Sequence, residues 1–124
     1  MAKQKIAIIE DDVAIVQMYR MKFESEGFEV QTASDGLAGL ELVEAFKPDI
    51  ILLDLMMPQM GGAEMMEKLR KEAWGKDVKV IILTNMGASE APSSITDLGV
   101  KDFIVKADMT PRQVADRVKA VLAS

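Results

Sequence analysis

The 124-residue chain contains neither cysteine nor histidine. Without cysteine there is no disulfide framework, no thiolate metal site and no thiol nucleophile. Without histidine, imidazole metal ligands and the commonest general base are excluded. Any catalysis has to run on carboxylates, hydroxyls and lysine. A basic face is lacking too. The formal net charge is −5, which argues against nucleic acid as a direct partner, because the electrostatic part of such binding needs clustered Lys and Arg. No apolar stretch approaches the length of a membrane span. Lys3 and Lys5 precede only a short apolar run, and Glu10 interrupts it too soon for a signal-peptide core. The expectation is a cytoplasmic protein with no membrane partner.

What is present is a chain that is 49% hydrophobic, enough for the core of a single domain over residues 1–124 without staples. Apolar strand-like runs alternate with amphipathic stretches. The pattern predicts strands at residues 5–10, 28–32, 49–54, 78–83 and 102–106, and helices at about 12–26, 36–46, 62–73, 90–98 and 111–122. Val16, Tyr19 and Phe23 mark the inner face of the first helix, and Val114, Val118 and Val121 that of the last. Gly27, Lys47-Pro48, Gly75-Lys76-Asp77 and Gly99 punctuate helix-to-strand passages. Thr110-Pro111 is a cap followed by proline at the first helical position. Strict alternation with short links implies a parallel sheet covered on both faces.

The run Ile50-Ile51-Leu52-Leu53 reads as a buried parallel strand, and it ends in Asp54. An unpaired charge cannot stay inside such a strand, so Asp54 has to surface at the C-terminal edge, where open α/β sheets place their ligand sites. Other strands end on Glu10-Asp11-Asp12, on Thr84 and on Lys106. Acid, acid, hydroxyl and amine would converge on one edge, which is a phosphoryl-transfer constellation. Glu10-Asp11-Asp12 has two readings. The triplet can simply start a helix, with Asp12 as the cap. Alternatively, clustered carboxylates need a cation to offset their repulsion, and Asp11 with Asp54, helped by Glu10, would suit magnesium. A carboxylate held beside a metal can attack a phosphoryl group and form an acyl phosphate. The metal, the Lys106 ammonium and the Thr84 hydroxyl would then neutralise or bond the peripheral oxygens. Taken singly, Asp54 can be a solvated strand end, Thr84 a turn residue, Lys106 a surface charge and Phe103 plain core. Met56, Met57, Met60, Met65 and Met66 read as flexible packing around the third loop.

The segments IAIIEDD, IILLDLMMPQMGG, IILT and GVKDFIVK carry a resemblance over essentially the full length. The chain resembles the receiver domain of bacterial two-component response regulators. The resemblance implies a doubly wound (βα)5 fold of flavodoxin-like topology, with strand order 2-1-3-4-5. It implies Asp54 as phosphoacceptor, Glu10, Asp11, Asp54 and the Met56 carbonyl around Mg2+, Thr84 and Lys106 as the groups that read the phosphoryl, and Phe103 as an aromatic switch. The donor would be a phosphohistidine on a histidine kinase or a histidine phosphotransfer protein. The output would be the surface of helix four, strand five and helix five, turned toward a protein target or a C-terminal effector domain absent from this chain. Such a module catalyses its own phosphorylation and dephosphorylation but has no multiple-turnover substrate.

The sequence departs from that pattern at several points. Ala107 follows Lys106 where the family usually has proline, often after a cis bond, and a cis bond before alanine costs about 2.5–4 kcal/mol. The loop Ala107-Asp108-Met109-Thr110 is about one residue longer than usual, Asn85 replaces a small residue, and Phe103 lacks the hydroxyl of the common tyrosine. Gly87, Pro92 and Ser93-Ser94 give the fourth helix poor propensity and predict a short, mobile element. The alternative function is a non-phosphorylated pseudo-receiver acting as a protein-interaction scaffold. A haloacid-dehalogenase-like phosphatase would need a second aspartate where Met56 stands. A flavin carrier would have its phosphate repelled by Glu10-Asp11-Asp12.

Overall fold

A computed structural model describes residues 3–85 and 94–124. Its strands are β1 (Lys5–Ile9), β2 (Glu29–Ala33), β3 (Ile50–Leu53), β4 (Lys79–Thr84) and β5 (Asp102–Val105), and its helices are α1 (Val13–Ser25), α2 (Gly36–Phe46), α3 (Gly62–Lys71), α4 (Ser94–Asp97) and α5 (Pro111–Ala123). The strands form one parallel sheet in the order β2-β1-β3-β4-β5. Observed and predicted boundaries agree within a residue or two for all elements except the fourth helix. Residues 90–93 of that predicted helix, with Gly87 ahead of them, lie outside the described residues, and with them the expectation of a short, mobile element.

Alternation along the central strands divides the core into two layers. Ile6, Ile8, Leu52 and Leu83 face α1 and α5, where Tyr19, Phe23, Val114 and Val118 close over them. Ala7, Ile9, Ile51 and Leu53 face α2 and α3 and meet Val43, Met65, Met66 and Leu69. Asp12 caps α1, its side chain accepting from the N–H groups of Ala14 and Ile15. Gly27, with φ of 92°, lets Phe28 N–H reach back to the Phe23 carbonyl and close the helix. At α5 Thr110 and Gln113 exchange the two bonds of a capping box ahead of Pro111. The expected Lys106–Ala107 difficulty resolves simply. No described peptide bond is cis, and residues Lys106–Asp108 form a 3₁₀ turn that takes up the longer loop before Thr110. Among the described residues no helix is long and apolar enough to cross a membrane.

At the N-terminal edge of the sheet, Arg70 near the end of α3 turns its guanidinium inward. It donates to five backbone carbonyls: Gly75, Lys76 and Val78 before β4, and Leu98 and Gly99 before β5. Burial lowers its pKa, partly countered by Asp77. This one side chain satisfies carbonyls from two turns that no ladder reaches. Arg70→Met is expected to lower unfolding stability by about 2–4 kcal/mol, since it leaves several carbonyls without donors. Urea denaturation checks this, and a loss below ~0.5 kcal/mol, the usual range for a surface change, would show that water replaces the guanidinium.

Candidate functional site

Because all five strands are parallel, their C-terminal ends share one edge. Glu10 and Asp54 are the first residues past β1 and β3, yet the ladder still holds their backbones: Glu10 N–H donates to Ala33 O at 3.0 Å and Asp54 N–H to Ile9 O at 3.0 Å. Their side chains are therefore fixed at the rim and mostly covered, Asp54 being 5% exposed. Thr84 ends β4 and is fully buried, and Lys106 follows β5 next to it. Two glycines bring the neighbouring helices close. A Cβ on Gly62 would strike the Asp54 carbonyl oxygen and lie 2.8 Å from Leu55 Cα. One on Gly36 would lie 2.9 Å from Met60 Cβ, where Gly36 N–H also bonds the Met60 carbonyl at 2.9 Å. The loop between β3 and α3 is thereby fixed at both ends.

The result is an open cleft of about 300 Å³ lined by Glu10, Asp11, Asp12, Ile15, Asp54, Met56, Thr84, Asn85 and Lys106. Carboxylate oxygens of Glu10, Asp11 and Asp54 all lie within 4.8 Å of one another. Lys106 Nζ bridges Glu10 Oε2 and Asp54 Oδ2, the latter at 3.1 Å. The remaining oxygens also have donors: Asp12 N–H reaches Glu10 Oε1 at 3.1 Å, and Met56 N–H reaches Asp54 Oδ1 at 3.2 Å. Phe103 is the one sequence-predicted residue outside the cleft. It is half-buried and packs with the α2 and α3 layer. Met56 corrects the expectation of methionine packing, because it is 59% exposed, whereas Met65 and Met66 are fully buried. Sequence reasoning missed the close approaches at Gly36 and Gly62. The Met60-Gly61-Gly62 run was the available signal.

Burial pushes the Glu10 carboxyl up from 4.5 to about 7, and the Asp54 charge adds to this, while Lys106 and the Asp12 N–H oppose it. For Lys106, burial alone would lower the pKa, but Glu10 and Asp54 outweigh it and leave the ammonium raised. Two carboxylates thus share one cation and retain excess negative charge. Such a set of hard oxygen donors fits a small divalent cation, which takes one or two carboxylates and keeps several waters.

Comparison with known proteins bears on what this cleft belongs to. A model of the response regulator receiver domain matches residues 6–119. The chain belongs to the receiver domain family. It is 35% identical over 118 residues to a protein described as the DNA-binding dual master transcriptional regulator RpaA of Synechocystis, covering 95% of this chain and 48% of that protein. It is 35% identical over 120 residues to the alkaline phosphatase synthesis regulatory protein PhoP of Bacillus subtilis, covering 96% and 48%. The chain thus spans about half the length of the curated relatives it matches. Among solved structures, a CheY-like receiver domain from Methanospirillum hungatei superposes with a TM-score of 0.90 at 29% identity, covering 98% of this chain and 95% of that one. CheY4 of Vibrio cholerae gives 0.88 at 26%, covering 97% and 99%. Both the receiver topology and the order 2-1-3-4-5 expected from the sequence are therefore established.

The raised Glu10 carboxyl of this receiver has a sign that can be tested. Between pH 4.5 and about 7 the unfolded chain releases a proton that the folded protein keeps. Stability from this group is full below the lower value and is lost as pH rises through the upper one. In metal-free buffer, Glu10→Gln should remove that fall and raise Tm at pH 8 by about 4 °C, corresponding to ~1 kcal/mol. A Tm below the parent's at pH 8 would mean that the Lys106 bridge outweighs the burial cost.

Proposed function

We propose that this domain is a phosphorylation switch in which Asp54 accepts a phosphoryl group from a phosphohistidine on a histidine kinase or a histidine phosphotransfer protein. The observation that carries this reading is the convergence of Asp54, two further carboxylates, Thr84 and Lys106 on one cleft. An Asp54 oxygen attacks phosphorus in line, the new bond is an acyl phosphate, and the electron pair of the broken P–N bond leaves with the imidazole. Glu10, Asp11 and Asp54, with the Met56 carbonyl, are the residues that would hold Mg2+. Bound there, the ion supplies charge neutralisation on the peripheral phosphoryl oxygens. Lys106 is close enough to Asp54 to follow the phosphoryl as it arrives, and Thr84 offers a hydroxyl from the neighbouring strand. The chain needs no histidine of its own, because the donor brings it. It would catalyse its own phosphorylation and dephosphorylation and turn over no other substrate.

Exposed apolar side chains at this edge suit a protein donor. Val13 is 71% exposed at the start of α1, and Leu37 at the start of α2 and Met56 on the cleft rim are also exposed. On the output side, the added charge and acceptor oxygens would draw in Thr84 and Lys106 and shift Phe103. The surface of α4, β5 and α5 would change for a protein target or an attached effector domain. The relative described as DNA-binding is about twice as long as this chain. DNA contact would fall to such an additional region, and the receiver, at −5, would not contribute a basic face.

Incubation with magnesium and acetyl phosphate, followed by intact-mass spectrometry, is expected to show one added phosphoryl group. The addition should vanish in Asp54→Asn and without magnesium. No addition from acetyl phosphate, and none from a phosphorylated kinase, would sink the switch and leave the scaffold reading.

A further inference from the structure

Gly36 opens α2, and its own backbone does not ask for glycine. Among the described glycines only Gly27 and Gly99 have positive φ, so helix propensity alone would favour alanine at position 36. The reason lies across the contact with the β3–α3 loop. Gly36 N–H belongs to the first turn of α2, which has no intrahelical acceptors, and it donates to the Met60 carbonyl at 2.9 Å. A Cβ would stand 2.5 Å from that same oxygen and 2.9 Å from Met60 Cβ and Cγ. Asp35 holds the helix side of the contact, its carboxylate accepting from the Ala38 N–H at 2.8 Å.

What the contact seats is the arch between Leu55 and Gly62. Its feet are joined, because Gly62 N–H donates to the Leu55 carbonyl at 3.1 Å. Near its crown Gln59 has a φ of 66°, a left-handed conformation that a non-glycine residue keeps only where its surroundings impose it. Met60 is the next residue. On the cleft side the arch carries Met56, whose N–H donates to Asp54 Oδ1 at 3.2 Å and which lines the cleft with Glu10, Asp11 and Lys106. With the feet joined, a push at Met60 has two outlets. One is the strained Gln59, and the other is the backbone of Met56 beside Asp54.

We infer that Gly36 is a positioning residue for the acid cluster: by meeting Met60 without a side chain, it seats the β3–α3 arch where the Met56 backbone serves Asp54 and a divalent cation. The inference rests on the reading of the cluster as a cation site. It goes beyond that reading by giving α2, which contributes no residue to the cleft lining, a part in setting metal affinity.

The test uses the unphosphorylated full chain and Mg2+ alone. Calorimetric titration of Gly36→Ala is expected to show Mg2+ binding weaker by about tenfold, the lower end of what loss of an outer-shell partner costs. In metal-free protein labelled with ¹⁵N-methionine, the Met56 amide resonance, identified by its absence in Met56→Leu, should move. Gly75→Ala is the control for mere loss of packing. Its Cβ would strike the Leu69 carbonyl oxygen at the opposite edge of the sheet, so it should lower Tm and leave Mg2+ affinity and the Met56 resonance unchanged. If Gly36→Ala does not fold, Asp35→Ala against Asp35→Asn decides. Both lack the charge and only the alanine lacks the cap, so Mg2+ should bind more weakly to the alanine variant. Parental affinity in Gly36→Ala, an equal loss in Gly75→Ala, or equal affinities of the two Asp35 variants would reduce Gly36 to packing and overturn the inference. If the parent itself takes up no Mg2+, the cation-site reading fails first and the inference falls with it. The parent titration distinguishes the two failures.

Discussion

Strands buried on both faces can carry charge only where they end, and in this domain two of them end on carboxylates that face each other. The Lys106 ammonium between Glu10 and Asp54 makes that arrangement tolerable. Burying like charges side by side without it would cost several kcal/mol. The rest of the architecture serves that pairing. Adjacent parallel strands β1 and β3 put the acids together, β4 and β5 bring the lysine round, and glycine at 36 and 62 lets helices close down on the loop beside them. The arrangement is compensated incompletely, as the elevated Glu10 carboxyl shows. That residual imbalance makes the cluster responsive to a further positive charge.

The strands were legible because burial on both faces leaves nearly unbroken apolar runs, and the caps because Asp12 and Thr110-Pro111 act within a few residues of themselves. The strand-end acids, Thr84 and Lys106 could be assigned to one edge from parallel topology alone. Other features depend on contacts between segments far apart in sequence, which periodicity does not encode. That Lys106 bridges Glu10 as well as Asp54 is one of these. Met56 went the other way. Its neighbours made it look like packing, but the loop pinned by Gly36 and Gly62 turns it outward. Ala107 raised a concern about a bond type that the 3₁₀ turn at Lys106–Asp108 removes.

The two layers of the domain divide the work unevenly. Beneath the cluster on the α1 and α5 side lie Tyr19, Ile8, Leu52 and Leu83, a dry floor that raises the value of every polar contact above it. On the α2 and α3 side, Phe103 and Ile95 join the layer, so the segments expected to carry output share packing with the helix that adjoins Asp54. A change in the position of Thr84 or Lys106 is therefore set against side chains on both faces of the sheet.

Arg70 has a bearing on where this chain tolerates added length. The turn from Gly75 to Val78 looks like an ordinary surface connection, the kind of site usually chosen for an inserted tag or a circular permutation. Its carbonyls, however, converge with those of Leu98 and Gly99 on one guanidinium. One extra residue would carry at least one of those oxygens away, and the same ion sets the spacing of both turns. For engineering purposes these two connections have a fixed length, whatever their exposure suggests.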